Sequence, residues 1–197
     1  AAGGIADGRG LAAALALGAS AAWIGTRFLA ADEAHVHPHY LSRLLAASED
    51  DTGHYDDLYD LGWPNAPHRA LKNSTSAMWE AAGRPPLGQR PGEGDALARR
   101  PGAGDIVRYQ SASPNAALRG DIEALPMWSG QGVGLVRRRQ PAAEILWEIV
   151  DQAAAKPQPG EARAVVDLPW RRAQRSRPRD GPQRARGGLR VQHALER

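Results

Sequence analysis

Glycines are the residues best placed to do chemistry in this 197-residue chain, because two glycine turns open it: Gly3-Gly4 and Gly25-Thr26. Glycine lets a phosphate approach backbone N–H groups. A helix N-terminus beside such a turn adds favourable partial charge, and the Thr26 hydroxyl adds a donor. Read this way, the pair is a phosphate cup for a nucleotide or flavin. The same glycines would also serve two tight strand-to-helix turns that need φ > 0 and bind nothing. His35, His37 and His39 invite a metal reading. Pro38 opens a helix, however, which leaves His35 and His37 outside it and His39 inside, so we read surface histidines and no metal. Glu49-Asp-Asp51 and Asp56-Asp57 pair carboxylates, which do acid–base work when burial separates their pKa values. They lie in a polar stretch, and solvation is the expected reading. There is no cysteine, which excludes a disulfide scaffold, a Cys-ligated metal site and a thiol nucleophile.

The elements that must position the turns follow from local pattern. Ala1–Ile5 reads as the end of a buried strand. Asp7 is the expected N-cap of a helix whose face carries Leu11, Ala14, Leu15 and Gly18, with Gly18 as its stop. Ala21–Ile24 is a short unalternating apolar run, as in a parallel strand buried on both faces. The order strand, Gly-Gly turn, helix, strand, Gly-Thr turn places both turns on one sheet edge, where ligands bind in such folds. Beyond them we expect a helix over Pro38–Ala47, a short strand or extended run at Tyr55–Leu61, and a helix over residues 66–80. We expect a Pro/Gly-rich loop over Arg84–Gly104, and an amphipathic helix from Pro141 to Ala153.

Charge is unevenly placed. Residues 156–197 hold 11 basic and 4 acidic side chains, whereas the first 155 are net negative. Within this Arg-rich tail, the segment from Arg171 to Gly188 has almost nothing to bury, and the tail is expected to be disordered. No aromatic interleaves the arginines of that segment, so nucleic-acid binding is not our reading. No run of 18 apolar residues exists to span a membrane, and we expect a cytoplasmic protein. The first residue is Ala1 rather than Met, inside an apolar run, which we read as a chain already under way.

Ala1-Ala-Gly-Gly-Ile-Ala-Asp-Gly-Arg-Gly-Leu and Trp23-Ile-Gly-Thr-Arg-Phe closely resemble the nitronate monooxygenases, formerly 2-nitropropane dioxygenases. The resemblance continues in Gly62-Trp-Pro-Asn-Ala-Pro-His-Arg-Ala-Leu-Lys-Asn73, in Pro126-Met-Trp-Ser-Gly-Gln-Gly-Val-Gly-Leu135 and in Pro141–Ile145. The first block is shared with FMN-dependent enoyl-ACP reductases; the Trp-Ser-Gly-Gln block favours the nitronate enzymes.

The resemblance implies an α/β fold: the C-terminal portion of an FMN-binding TIM barrel, its last two strands, with a mainly helical subdomain. It divides the chain into residues 1–34 (end of the barrel), 35–155 (helical and loop subdomain with a closing helix) and 156–197 (tail). It implies that Gly3, Gly4, Trp23, Ile24, Gly25 and Thr26 contact FMN, with Gln131 on a loop near flavin or substrate. Relatives often carry Gln where Trp23 stands, so only backbone contacts carry over there. The implied activity is oxidation of alkyl nitronates by O₂ to a carbonyl compound and nitrite. The family's catalytic histidine lies upstream of the Gly-Gly turn, so little turnover is expected from these residues alone, and an exposed apolar patch is expected where barrel is missing. An enoyl reductase relative and a non-catalytic remnant are the alternatives.

Overall fold

The first helix, α1 (Gly8–Ala16), starts where Asp7 accepts a hydrogen bond from the Gly10 N–H at 3.0 Å. The computed structural model describes residues 1–155 apart from residue 103; the expected disordered tail lies outside them. Helix α1 ends at Gly18, whose φ of +94° suits glycine. There Gly18 N–H donates to Leu15 O and Ala19 N–H to Ala14 O, both at 3.0 Å. These paired bonds satisfy carbonyls that the helix end would leave unpaired.

The two flanking segments are less regular than their apolar runs suggest. Ala2 and Trp23 form one parallel bridge, and no further ladder joins the segments. Trp23 is 80% exposed, which corrects the expectation of a strand buried on both faces. A strand gains that environment only from neighbours on each side, and the described residues supply one bridge. Residues Thr26–Ala30 then wind into a 3₁₀ turn.

Helix α2 (Pro38–Ala46) forms where expected, with Pro38 at its first turn and the His37 ring accepting from His39 N–H. Its Tyr40 and Leu44 enter a core with Ala30, Leu71, Met127 and Val133.

Two small antiparallel sheets correct the mainly helical reading of residues 35–155. Strand β1 (Thr52–Tyr55) pairs with β2 (His68–Leu71) from Thr52↔Leu71 to Tyr55↔His68. The expected helix over 66–80 is therefore a strand followed by α3 (Ser74–Ala81). The break falls at Asn73, which accepts from Ser76 N–H while Ser76 Oγ accepts from Asn73 N–H. This reciprocal cap fixes the helix start. Likewise the Pro/Gly-rich loop contains a hairpin of β3 (Ala96–Arg100) and β4 (Gly104–Val107), with β5 (Arg119–Gly120) on the other side of β3. Leu97, Ile106, Leu118, Ile122 and Leu125 close a core beneath it.

The last helix, α4 (Ala142–Ala155), matches its sequence pattern. Ile145 and Ile149 are buried, with Leu11, Ile24 and Phe28 packed against them. Helices α1 and α4 touch so closely that a Cβ on Gly8 would collide with Gln152 Cβ and Ala153 N.

Candidate functional site

The structure sets the two glycine turns side by side. Trp23 N–H donates to Ala1 O at 2.8 Å, so Gly3-Gly4 and Gly25-Thr26 leave adjacent segments. Gly3 and Gly4 have φ of +87° and +70°, a conformation that side chains with a Cβ resist. Nothing lies within 4 Å of where a Cβ would sit on Gly3, Gly4 or Gly25. Among the described residues, the Gly4 and Gly25 amides have no hydrogen-bond acceptor. Unbonded amides beside open space are the kind of feature that suits an anionic ligand.

A third segment completes it. Thr26 Oγ1 accepts from the Gly130 N–H at 3.0 Å, which leaves the Thr26 hydroxyl proton free to donate outward. A Cβ on Gly132 would lie 3.2 Å from Gly4 O and from Ala6 Cβ, so the 3₁₀ turn Gln131–Leu135 sits directly on the first glycine turn. The motif at 126–135 thus meets both turns of the opening block. Gln131 is exposed at the start of that 3₁₀ turn. Ile24 is half-buried against Ile145 and Ile149, so only its backbone is available to a ligand. Trp23 joins through its backbone, and its side chain is exposed.

The Trp128 loop is anchored from beneath. Leu71 N–H donates to Met127 O at 2.8 Å and Ser129 N–H to Arg69 O at 3.0 Å, while Tyr40 OH donates to Trp128 O. The Trp128 ring stands edge-on to His68, with centroids 4.8 Å apart, and to Trp63 at 6.1 Å. His68 Nδ1 bonds Ala66 O at 2.9 Å. Burial lowers the His68 pKa, which keeps the ring neutral near pH 7.

Sequence reasoning passed over the polar side chains behind the turns. Arg27 is only 5% exposed. Its Nη2 donates to Gln140 Oε1, and it pairs with Glu148 at 3.7 Å. Burial alone would raise the Glu148 pKa, but hydrogen bonds from Gln140 and Arg138 and the charges of Arg138 and Arg27 hold it below the usual carboxylate range. Asp7 follows the same balance: burial pushes it up, and bonds from Gly10 N–H and Arg9 bring it lower overall. Asp7, Arg27, Arg138 and Glu148 line a cleft of about 240 Å³ with Ala6, Arg137 and Gln152. The readable signal was an arginine within the apolar run Ile24–Ala30, since a charge there needs a buried partner.

The other candidates are not brought to this site. His39 Nε2 lies 2.7 Å from Glu123, and Val36 bridges to Asn115. No group of three His, Asp or Glu residues that would hold a metal gathers among the described residues. Asp51 is held low by hydrogen bonds from Ser48 and caps a 3₁₀ turn.

A family model described as nitronate monooxygenase matches residues 1–152. Nitronate monooxygenase npaC of Metarhizium robertsii is 38% identical over 162 residues, which is 79% of this chain and 41% of the relative. A nitronate monooxygenase of Pseudomonas aeruginosa is 34% identical over 153 residues, 77% of this chain and 38% of the relative. Among solved structures, FabK from Thermotoga maritima is 30% identical with a TM-score of 0.52, covering 77% of this chain and 42% of that one. Nitroalkane oxidase from Streptomyces ansochromogenes is 26% identical with a TM-score of 0.52, covering 78% and 38%. The chain spans about two fifths of the length of these curated relatives.

Proposed function

The chain belongs to the nitronate monooxygenase family, and from that premise we propose that it forms the FMN-phosphate end of an enzyme that oxidises alkyl nitronates with O₂ to carbonyl compounds and nitrite. The observation that carries this reading is the meeting of three segments: the Gly3-Gly4 turn, the Gly25-Thr26 turn and the Gly130–Gly132 stretch. The cradle is open, lined with free N–H groups, and clear of side chains at its glycines, so it fits a phosphate. The Gly4 and Gly25 amides and the Thr26 hydroxyl would donate to it, and Ile24 would contribute backbone only. Gln131, exposed beside the first turn, would orient flavin or substrate. FMN, when bound, supplies the acceptance of electrons from the nitronate and their delivery to O₂.

The proposal extends to architecture. The parallel bridge Ala2↔Trp23 supports reading residues 1–34 as the last two strands of a TIM barrel. Leu17 and Trp23, at 89% and 80% exposed, are faces such a barrel would cover. No helix among the described residues is long and apolar enough to cross a membrane. We keep the cytoplasmic assignment as part of the proposal.

The test is flavin titration followed by turnover. The 197 residues are expected to take up FMN in preference to riboflavin and to release little nitrite from an alkyl nitronate. Nitrite release at the rate of an intact flavoenzyme would show that the base is not upstream of the Gly-Gly turn. FabK favours a second reading, an FMN-dependent enoyl reductase, since it matches as well in shape as nitroalkane oxidase does. NAD(P)H consumption with an enoyl thioester, against O₂ uptake with a nitronate, separates the two in a longer form that turns over.

A further inference from the structure

A continuous line of side chains joins the elements that follow the two glycine turns. It begins at Arg27, next to Thr26, whose Nη2 donates to Gln140 Oε1. Gln140 Nε2 donates to Glu148 Oε2 at 3.1 Å, and Arg138 donates to the same oxygen at 3.1 Å. Gln152 Nε2 donates to the other Glu148 oxygen at 3.2 Å. The line ends where Gly8 N–H, the first residue of α1, donates to Gln152 Oε1 at 3.0 Å. Glu148 and Gln152 are one helical turn apart on α4, which therefore acts as a rigid spacer.

This construction is costly unless it has a use. An arginine as buried as Arg27 loses hydration that only good partners offset. An apolar side chain of similar volume would fill the space without that cost. What the polar line adds is direction: each donor and acceptor fits in one arrangement only. The backbones of the two turn segments are joined at their start by the Ala2↔Trp23 bridge and the Ala1 N to Ala21 O bond, and the Gly130–Gly132 stretch touches both turns; the polar line is a further link, made through α4.

We propose that Arg27, Glu148 and Gln152 are positioning residues that set the spacing of the Gly3-Gly4 and Gly25-Thr26 turns, so that one phosphate meets both. The proposal rests on the flavin-phosphate reading above for its ligand, but the spacing is testable without it.

The experiment uses the full chain and four variants: Glu148→Ala, Glu148→Gln, Arg27→Met and Arg27→Lys. FMN and riboflavin dissociation constants are measured by flavin fluorescence, and amide exchange is followed by mass spectrometry. Loss of a charge-assisted hydrogen bond is expected to weaken FMN by about ten-fold or more in Glu148→Ala and Arg27→Met. Riboflavin, which lacks the phosphate, should change much less, and Glu148→Gln and Arg27→Lys should recover part of the loss. Exchange at residues 3–8 and 25–27 should quicken in Glu148→Ala while β1 and β2 keep their protection. Equal weakening of FMN and riboflavin would make the line a general stabiliser and overturn the proposal, as would unchanged exchange at both turns. Absence of FMN binding by the unaltered chain would overturn the flavin reading and the phosphate half of this proposal, and the exchange pattern then decides the spacing by itself. Should Glu148→Ala fail to fold, Glu148→Gln and Arg27→Lys carry the same comparison.

Discussion

The glycine-turn region and the sheet region are stabilised in different proportions by burial and by directional bonds. Around β3, β4 and β5, apolar side chains from neighbouring strands and turns close on one another, and Leu118, Ala124 and Leu125 are fully buried. Around the glycine turns, the segment backbones share one bridge, Trp23 and Leu17 face solvent, and α1 and α4 hold the geometry. A core excludes water by itself; a cradle must leave room for something else. The sheet region owes its stability to burial, whereas the turn region adds a line of directional bonds to the small apolar core that Ile145 and Ile149 form with Leu11, Ile24 and Phe28.

The contrast can be broken most sharply at Leu118. Leu118→Ala removes a fully buried side chain and should cost about 2–5 kcal/mol in urea unfolding. Exchange protection in α1 should persist at denaturant concentrations where β3 has opened. Simultaneous loss would mean that the two regions form one cooperative unit. Gly8→Ala comes next: overpacking α1 against α4 should cost about 1–3 kcal/mol, with flavin affinity falling alongside. Asp7→Ala removes the N-cap of α1 and should cost roughly 1 kcal/mol, read from the thermal midpoint at pH 7. Because the Asp7 pKa is lowered in the folded state, its contribution is present above the ordinary carboxylate range. It is lost as pH falls through the folded value.

Much of the glycine-turn region was legible because its signals are local. Asp7 caps, Gly18 stops, and the Ile145/Ile149 stripe faces inward, each within a turn or two of its own sequence. The sheets were not legible, for a physical reason. His68–Leu71 reads as helix beside the true helix formers of α3, and it becomes a strand through long-range bonds to β1, Met127 and Ser129. The β3–β4 hairpin hides among Pro and Gly residues that read as loop. The site shows the same split. Gly3, Gly4, Gly25 and Thr26 announce themselves, whereas the line from Arg27 to Gln152 exists only once α4 has docked.

Two smaller effects sharpen the comparison. Burial lowers the His68 pKa, so protonation opposes folding. Stability should fall as pH drops below about 6.5, and His68→Phe should flatten that slope in a thermal-melt series. Arg99 and Asp105, paired at 3.5 Å across β3 and β4, are 79% and 55% exposed. Arg99→Ala should therefore change the unfolding free energy by no more than about 0.5 kcal/mol.

The bond between Gly8 and Gln152 spans 144 positions of sequence. During synthesis at about 5–20 residues per second, some 7–30 s separate the appearance of its two ends. The glycine turns emerge from the ribosome long before the helix that tethers them. Until α4 arrives the turns lack their tether, so a ligand that needs both turns should bind only after α4 has emerged.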